Sequence, residues 1–306
     1  MTHAFTIQYL PRHEIDKAKW DACVREADNG LIYGYSFYLD HMAERWDGLV
    51  LNDYEAVMPM TWNKKYGFYY LYQPFLCAQL GIFGKNINPE MSKAFLKTIP
   101  AKFKYWDIYL NHQNILQLKD FNIFLRSNFV LKLSPPYDEL YKNYRENIQR
   151  NIKKAHQLSC VIQTNLAVEQ VIELVRQYAK NHSSQKQDFE RFKKLYHLLQ
   201  EKRQAITYGV FSAARELLSS CVFFFSNNRA YYILVANHPN GRTMGASHAL
   251  IDAFIKDHAG SNLLLDFEGS DIRNLAFFYS SFGATDEKYP AVRVNNLPWY
   301  CKWMKK

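Results

Sequence analysis

The stretch "NLLLDFEGSDIRNLAFFYSSFGATDEKYPAV", residues 262–292, decides how the second half of the chain is interpreted. Its apolar run, residues 263–267, predicts a buried strand that ends in Asp266 and Glu268 before a Gly-Ser turn. Because successive residues of a strand point to opposite faces, the two carboxylates are predicted to share one face, with Phe267 on the other. Carboxylates in that position can hold or deprotonate an ammonium group. They can equally form ion pairs or cap the next helix, and both interpretations stay open.

Length and composition indicate a globular protein of two domains. The 306 residues exceed the roughly 150 of an average domain, and the hydrophobic content of 48% argues against general disorder. The net charge of +9 favours anionic partners such as nucleic acid, CoA or nucleotide phosphates, or an anionic membrane face. Five scattered cysteines fit a reducing compartment, and neither a signal-peptide pattern nor a membrane-spanning apolar run is present. A cytoplasmic location is therefore expected.

The segment "LSPPYDEL", residues 133–140, marks the boundary between the domains. Two successive prolines cannot continue a strand ladder, and the residue before each is biased towards extended geometry. We therefore expect a first domain over residues 1–134 and a second over 135–306. The last residues are expected to be able to pack back on the first domain.

A long helix is predicted directly after this boundary, over "YDELYKNYRENIQRNIKKAHQL", residues 137–158. Its basic face includes Arg150 and Lys153, which we consider as binding residues for phosphates or for the acceptor arm of a tRNA. The alternative is an ordinary solvated helix face.

The order of elements in the second half, in which antiparallel strands precede a helix, a strand and another helix, resembles the GNAT acyltransferase fold. In that fold the sheet splits between its fourth and fifth strands, and an acyl donor lies in the split. The loop "HPNGRTMGASHAL", residues 238–250, stands where GNAT proteins bind a pyrophosphate at a helix N-terminus. Ser247 occupies a position where the family has Gly or Ala. The resemblance implies an acyl-CoA site formed by Arg242, Thr243, Met244, Gly245, Ala246 and Asn274.

Four segments together resemble the Fem family, which transfers amino acids from aminoacyl-tRNA onto peptidoglycan precursors. They are "YLYQPFLCAQLGIF" (70–83), "YRENIQRNIKKA" (144–155), "NGRTMGASHALIDAFIKDHAG" (240–260) and the opening stretch. Members have two tandem GNAT-like domains, so the resemblance covers nearly the whole chain. It implies an α/β (α+β) fold of two such domains, each a mixed, largely antiparallel sheet flanked by helices. The coiled-coil arm of some members has no counterpart here.

The resemblance also implies site residues. In many GNAT enzymes a tyrosine just before the closing glycine protonates the leaving thiolate, and Tyr279 stands four residues before Gly283. With Asp266 and Glu268 it forms the expected catalytic group, although packing in the core is the alternative for a chain with 22 tyrosines. Gln73, Phe75 and Gln79 are expected to bind substrate on the acceptor side.

Three functions follow from these expectations. The first is an N-acyltransferase that moves an acyl group from acyl-CoA to a small-molecule or peptide amine. The second is a Fem-type enzyme that uses aminoacyl-tRNA and a cell-wall precursor. The third is a non-catalytic GNAT scaffold that binds a ligand, suggested by Ser247 and by the missing basic residue beside Tyr279. No metal is expected, because zinc-binding motifs are absent from the sequence.

Overall fold

Two mixed β-sheets, each flanked by helices, organise the computed structural model. The structure describes residues 6–114, 121–178 and 186–305. Unit 1 consists of Met1–Arg126 and Lys288–Lys306, and unit 2 consists of Ser127–Glu287. The sequence-based boundary, between residues 134 and 135, lies inside unit 2. No helix in the described ranges is long and apolar enough to cross a membrane.

Unit 1 is built on one sheet with the strand order β1-β2-β3-β4-β6-β15-β7, and β5 pairs with β3. Its strands are β1 (Ile7–Leu10), β2 (Trp46–Leu51), β3 (Ala56–Lys65), β4 (Phe68–Leu71), β5 (Phe83–Gly84), β6 (Phe103–Tyr109), β7 (Ile123–Arg126) and β15 (Tyr289–Asn295). Its helices are α1 (Lys17–Glu26), α2 (Ser36–Met42) and α3 (Pro89–Thr98), with 3-10 turns at Arg12–Glu14, Ile32–Gly34 and Trp299–Lys305.

Side chains that cap helix ends explain where two of these helices begin. Asp16 accepts hydrogen bonds from the backbone N–H groups of Ala18 and Lys19 at the start of α1. Asn88 accepts from the N–H of Met91 at the start of α3, where Pro89 is the first helical residue.

Unit 2 is built on a sheet with the order β14-β8-β13-β12-β11-β10-β9. Its strands are β8 (Phe129–Lys132), β9 (Val161–Thr164), β10 (Ala205–Phe211), β11 (Leu217–Ser226), β12 (Arg229–Asn237), β13 (Leu264–Asp266) and β14 (Thr285–Asp286). Its helices are α4 (Tyr137–Lys142), α5 (Glu146–Gln157), α6 (Val168–Tyr178), α7 (Lys186–Glu201), α8 (Pro239–Met244), α9 (Ala246–His258) and α10 (Arg273–Ser280).

The two sheets have the same topology, which no letter-by-letter repeat in the sequence reveals. Read from β9, the second sheet is β9-β10-β11-β12-β13-β8-β14, and each strand has a counterpart in β1-β2-β3-β4-β6-β15-β7. In both sheets the fourth and fifth strands are parallel and their other neighbours antiparallel. In each sheet the sixth strand of this order comes from a part of the chain distant from the fifth strand. It is β8 in unit 2 and β15 in unit 1. The chain therefore has the predicted fold, two mixed sheets in tandem.

The long helix predicted after the prolines is wrong, because it is interrupted between α4 and α5. Arg145 is extended rather than helical, and its N–H donates to the carbonyl oxygen of Ser281 at 2.9 Å. The ring of Tyr144 packs edge-on against Phe282 with centroids 5.2 Å apart. A contact with a segment more than 130 residues away thus breaks a helix that the local pattern would continue.

Candidate active site

The fourth and fifth strands of the second sheet separate soon after they pair. β13 pairs only with the first three residues of β12, Arg229 to Tyr231. β12 continues to Asn237 along β11 on its other side. Residues 232–237 of β12 therefore border an opening, which we call the β12–β13 split, and no described strand covers it on that side.

A β-bulge lies on the strand that borders the split. Ser220 pairs with Ala236 and Val222 with Ile233, so Leu234 and Val235 together oppose one residue of β11. Leu234 has a φ of +51°, a strained conformation for a side chain of that size. Bulges remove backbone groups from the ladder and are frequent beside functional sites. The sequence contains no glycine that would have indicated this bulge.

The predicted phosphate-binding loop follows β12 directly but is helical. Arg242, Thr243 and Met244 lie in α8, and Gly245 separates α8 from α9, which begins at Ala246. The Nδ1 atom of His238 accepts from the N–H of Asn240 at 3.1 Å and caps α8. Arg242 and Thr243 are exposed, whereas Ala246 is buried. The segment that the sequence analysis treats as a loop is thus helical over Pro239–Met244, because a histidine cap and Pro239 start a helix there.

Gly245 allows α5 to pack closely against the backbone between α8 and α9. Its φ is +77°, and a Cβ atom at this position would lie 2.3 Å from the backbone oxygen of Asn151 in α5. The hydroxyl of Ser247 donates to Oδ1 of Asn237 at 2.8 Å, and the hydroxyl of Ser219 donates to the same atom at 2.6 Å. Ser247 thus fastens the start of α9 to the end of β12.

We predict that Gly245→Ala lowers the free energy of unfolding by about 2–4 kcal/mol, because left-handed strain adds to a backbone clash. Gly260→Ala is the matched control: Gly260 has a φ of +78° but nothing within 4 Å of an added Cβ. It should cost only about 1 kcal/mol. Urea unfolding of both variants measures the difference, and equal losses would show that the contact with α5 is unimportant.

The two acidic residues at the end of β13 do not share a strand face. β13 ends at Asp266, and Glu268 lies beyond it with a φ of +60°. The predicted alternation is wrong here because the turn begins two residues earlier than the apolar pattern indicates. Asp266 is 2% exposed; its Oδ2 atom accepts from Nη1 of Arg229 at 2.6 Å and its Oδ1 atom from the N–H of Glu268 at 2.8 Å.

Arg229 connects three segments of unit 2 through a buried network of charges. Besides Asp266, it donates to both carboxylate oxygens of Glu287, at 3.0 and 3.2 Å. Burial acts to lower the pKa of Arg229, but the charges of Asp266, Tyr231 and Glu287 outweigh it and raise that pKa. Asp266 thus anchors the start of the split, whereas Glu268 lies next to it and is partly exposed.

Tyr279 lies in the core cluster of unit 2, on α10. Its ring stacks on that of Phe267, between the two acidic residues, with centroids 4.6 Å apart. Burial, and then the charge of Glu268, raise the pKa of Tyr279 above its ordinary value, so the phenol keeps its proton. Glu268 therefore lies close enough to Tyr279 for its charge to act on the phenol. Asn274 lies on the first turn of the same helix and is exposed.

His248 is a partly buried side chain in α9 beside this group. Its ring packs edge-on against Phe278, the neighbour of Tyr279, with centroids 5.0 Å apart. Burial lowers the pKa of His248 to about 4, and its Nδ1 atom has no hydrogen-bond partner among the described residues. The burial of the His248 ring results from tertiary packing, which the sequence alone does not indicate.

We predict that His248→Phe flattens the dependence of stability on pH. Between pH 6.5 and pH 4 the imidazole is protonated in the unfolded chain, where its pKa is 6.5. In the folded chain, where its pKa is about 4, it stays neutral over most of this range. The wild type should therefore lose on the order of 2–3 kcal/mol from this residue as pH falls from 6.5 to 4. Unfolding curves across this range should show the loss in the wild type and in His13→Phe, whose side chain is 80% exposed in the parent. If the stability of His248→Phe falls with pH in parallel with that of the wild type, this pH dependence does not come from His248.

The basic residues Arg150 and Lys153 are both exposed on α5. With Lys154 they line an open groove of about 640 Å³, whose other lining residues are Glu146, Gln149 and Gln157. A single helix carries this groove, so its cations lie on one face as the sequence indicated.

The three expected substrate residues of unit 1 brace a loop. Gln73 donates to the carbonyl oxygen of Cys77 at 2.8 Å and accepts from the N–H of Tyr109 at 3.1 Å. Gln79 is 1% exposed and accepts from the N–H of His112 at 3.0 Å. Phe75, between them, is partly buried. Both amides are therefore engaged with the chain itself.

The chain is similar to known proteins both in part of its sequence and in its fold. Residues 142–271 match the acetyltransferase (GNAT) domain family. The crystal structure of FemX has a TM-score of 0.68 at 12% identity, covering 97% of this chain and 99% of FemX. A tandem GNAT protein from the clavulanic acid biosynthesis pathway, without AcCoA, has a TM-score of 0.54 at 9% identity, covering 95% and 99%. L-PGS from Bacillus licheniformis has a TM-score of 0.53 at 12% identity, covering 94% and 95%.

These structural similarities concern the fold, since all three identities are low. No curated protein sequence matches the chain. No group of three or more side chains able to hold a metal ion occurs within residues 6–114, 121–178 and 186–305. Residues 142–271 are thus an acetyltransferase (GNAT) domain, and the whole chain has a two-domain fold similar to that of FemX and of the tandem GNAT protein.

Proposed function

We propose that the chain transfers an acyl group from acyl-CoA to an amine in the β12–β13 split. The observation that carries the proposal is the separation of two parallel strands after three paired residues, beside a strained bulge at Leu234. An extended donor can lie against the uncovered edge of β12, where backbone groups are available to it.

The residues along β12 fit an acyl-CoA donor better than the residues around Gly245 do. The Cα of Gly245 faces the backbone of Asn151, so we do not assign a phosphate contact to that side. Arg242 is exposed at the end of α8 and is the cation we assign to the phosphates, with Thr243 and the start of α9 beside it. When bound, the donor supplies an activated thioester.

Three residues at the split have separate roles. Tyr279 keeps its phenolic proton at neutral pH and gives it to the leaving sulfur. Glu268 holds the acceptor ammonium and takes the proton that it must lose before the nitrogen attacks the thioester carbon. The nitrogen releases a second proton as the C–N bond forms and the C–S bond breaks, and this proton replaces the one that Tyr279 gave to the sulfur. Asp266, already bonded to Arg229, acts as a positioning residue that fixes the end of β13.

Calorimetric titration with CoA and acetyl-CoA tests the donor, followed by acetyl transfer to a panel of small amines and peptides. We expect micromolar binding and release of free thiol that depends on the amine. Binding without thiol release with any amine would favour the non-catalytic scaffold, and no binding at all would contradict an acyl-CoA donor.

An aminoacyl-tRNA donor is the second candidate, because Arg150 and Lys153 line one groove on α5. It would make the acceptor a cell-wall precursor, as in the Fem family. Affinity for tRNA should then fall steeply with salt. Arg150→Gln/Lys153→Gln should reduce the slope of log affinity against log salt concentration by the amount that about two phosphate contacts contribute. Lys132→Gln/Lys194→Gln, which removes the same charge from exposed sites elsewhere in unit 2, is the control. Equal slopes for the two double variants would exclude this groove as the tRNA-binding surface.

A further inference from the structure

Unit 1 exposes large aromatic side chains beside lysines at two places. Tyr66, in the turn between β3 and β4, is 73% exposed and follows the exposed Lys64 and Lys65. Trp299 and Tyr300, in the 3-10 turn after β15, are 84% and 59% exposed and precede the exposed Lys302. Exposed apolar side chains that lie next to each other often mark a surface for interaction with a partner. We call the six residues Lys64, Lys65, Tyr66, Trp299, Tyr300 and Lys302 the aromatic–basic face.

The β3–β4 turn lies beside the part of the chain that leads into Trp299 and Tyr300. A small pocket of about 120 Å³ is lined by Lys65, Tyr66, Phe68, Tyr69, Tyr70, Tyr105 and Leu297. Leu297 stands two residues before Trp299, so the second segment begins next to an aromatic depression at the β3–β4 turn.

The charge of this surface is positive. Residues 56–89 and 288–306, which supply both segments, contain no Asp or Glu. Nearby acidic side chains are engaged: Glu44 accepts from the amide of Asn63 at 2.5 Å, and Asp107 pairs with Arg293 at 3.3 Å. Lys64 lies over the ring of Tyr69 at 4.9 Å and Lys65 over the ring of Tyr66 at 5.3 Å, so each of these cations lies beside an aromatic ring.

We propose that the aromatic–basic face docks unit 1 on the surface of an anionic membrane. Trp and Tyr rings prefer the boundary between headgroups and acyl chains, because each has an apolar body and a polar tip. Lysines beside them are attracted to anionic headgroups. Single-stranded RNA, the other polyanion that aromatic rings bind, stacks successive bases on rings along a basic groove. The rings of Trp299 and Tyr300 are nearly perpendicular, at 87°, so they do not present one continuous stacking surface.

This inference is independent of the acyl-transfer chemistry. The test is co-sedimentation of the full chain with vesicles of phosphatidylcholine, alone or mixed with phosphatidylglycerol. We expect at least about tenfold stronger partitioning onto the anionic vesicles. Trp299→Ala/Tyr300→Ala should weaken it about tenfold, and Lys64→Gln/Lys65→Gln/Lys302→Gln should abolish the preference for anionic lipid. Leu125→Ala removes a 64% exposed apolar side chain from β7 of the same unit and should change nothing.

All substituted side chains are exposed, so thermal unfolding should show that every variant folds as the wild type does. A second measurement on the unmodified chain uses vesicles with brominated acyl chains, which should quench its tryptophan fluorescence at low salt and less at high salt. The proposal is overturned if the wild type does not sediment with anionic vesicles, or if Leu125→Ala loses as much partitioning as the aromatic variant. It is also overturned if the aromatic and lysine variants weaken only the binding of single-stranded RNA.

Discussion

Replacing Arg229 with Met is expected to lower the free energy of unfolding of unit 2 by about 3–5 kcal/mol, the usual cost of removing one partner from a buried ion pair. Arg229 is 7% exposed and is hydrogen-bonded to Asp266 and Glu287, so the substitution leaves two carboxylates close together without their cation. The loss should shrink as pH is lowered, because protonation removes the uncompensated negative charges. Urea unfolding at neutral and acidic pH measures both effects.

Arg293→Met is the matched control for this variant. Arg293 pairs with Asp107 at 3.3 Å, but the two side chains are 47% and 31% exposed. Removing an exposed pair typically costs about 0–1 kcal/mol, and raised salt should reduce even that. If Arg229→Met is no more costly than Arg293→Met, the charge network does not hold β12 and β13 together.

The second large effect is expected on catalysis: Tyr279→Phe should lower kcat of acyl transfer by about 10²- to 10⁴-fold, the range for loss of a general acid. Affinity for acyl-CoA should stay unchanged, because the ring and its stacking on Phe267 are retained. In the wild type, activity should persist into alkaline pH, since the pKa of Tyr279 lies above that of an ordinary phenol. Thiol release at saturating substrates, measured against pH, provides the test.

Tyr208→Phe separates loss of a proton donor from loss of any buried hydroxyl. Tyr208 is 2% exposed in the same core cluster, and its hydroxyl donates to Asp257 at 2.7 Å. This variant should lose about 1 kcal/mol of stability and retain kcat. Equal rates for Tyr279→Phe and the wild type would leave Tyr279 with a packing role alone, the alternative that its burial also permits.

Much of the fold was predictable because it depends on local patterns. The hairpin of β3 and β4 turns at Tyr66-Gly67, and that of β11 and β12 turns at Asn227-Asn228, with residues that favour turns at both places. Helix α3 begins at Pro89, a residue that favours the first position of a helix. Such elements depend on side-chain periodicity and turn residues within a few positions of each other.

The candidate site was predictable only in part. The sequence indicated the region of Asp266, Glu268 and Tyr279, where burial, and then the charge of Glu268, raise the pKa of Tyr279. It could not indicate that Asp266 is bonded to Arg229, because that partner lies 37 residues earlier. Nor could it indicate the bulge at Leu234, where the strand pairing imposes a left-handed backbone on a leucine.

By itself, the sequence indicated the fold class, two α/β domains in tandem, the GNAT resemblance of the second half, and the segment of the candidate site. Tertiary structure alone decided that β8 lies beside β13, that β15 lies beside β6, and that a helix stops at Arg145. It also decided where the second sheet opens. The physical reason is that periodicity and capping act between neighbours in the chain, whereas strand pairing, buried charge pairs and helix contacts join residues far apart.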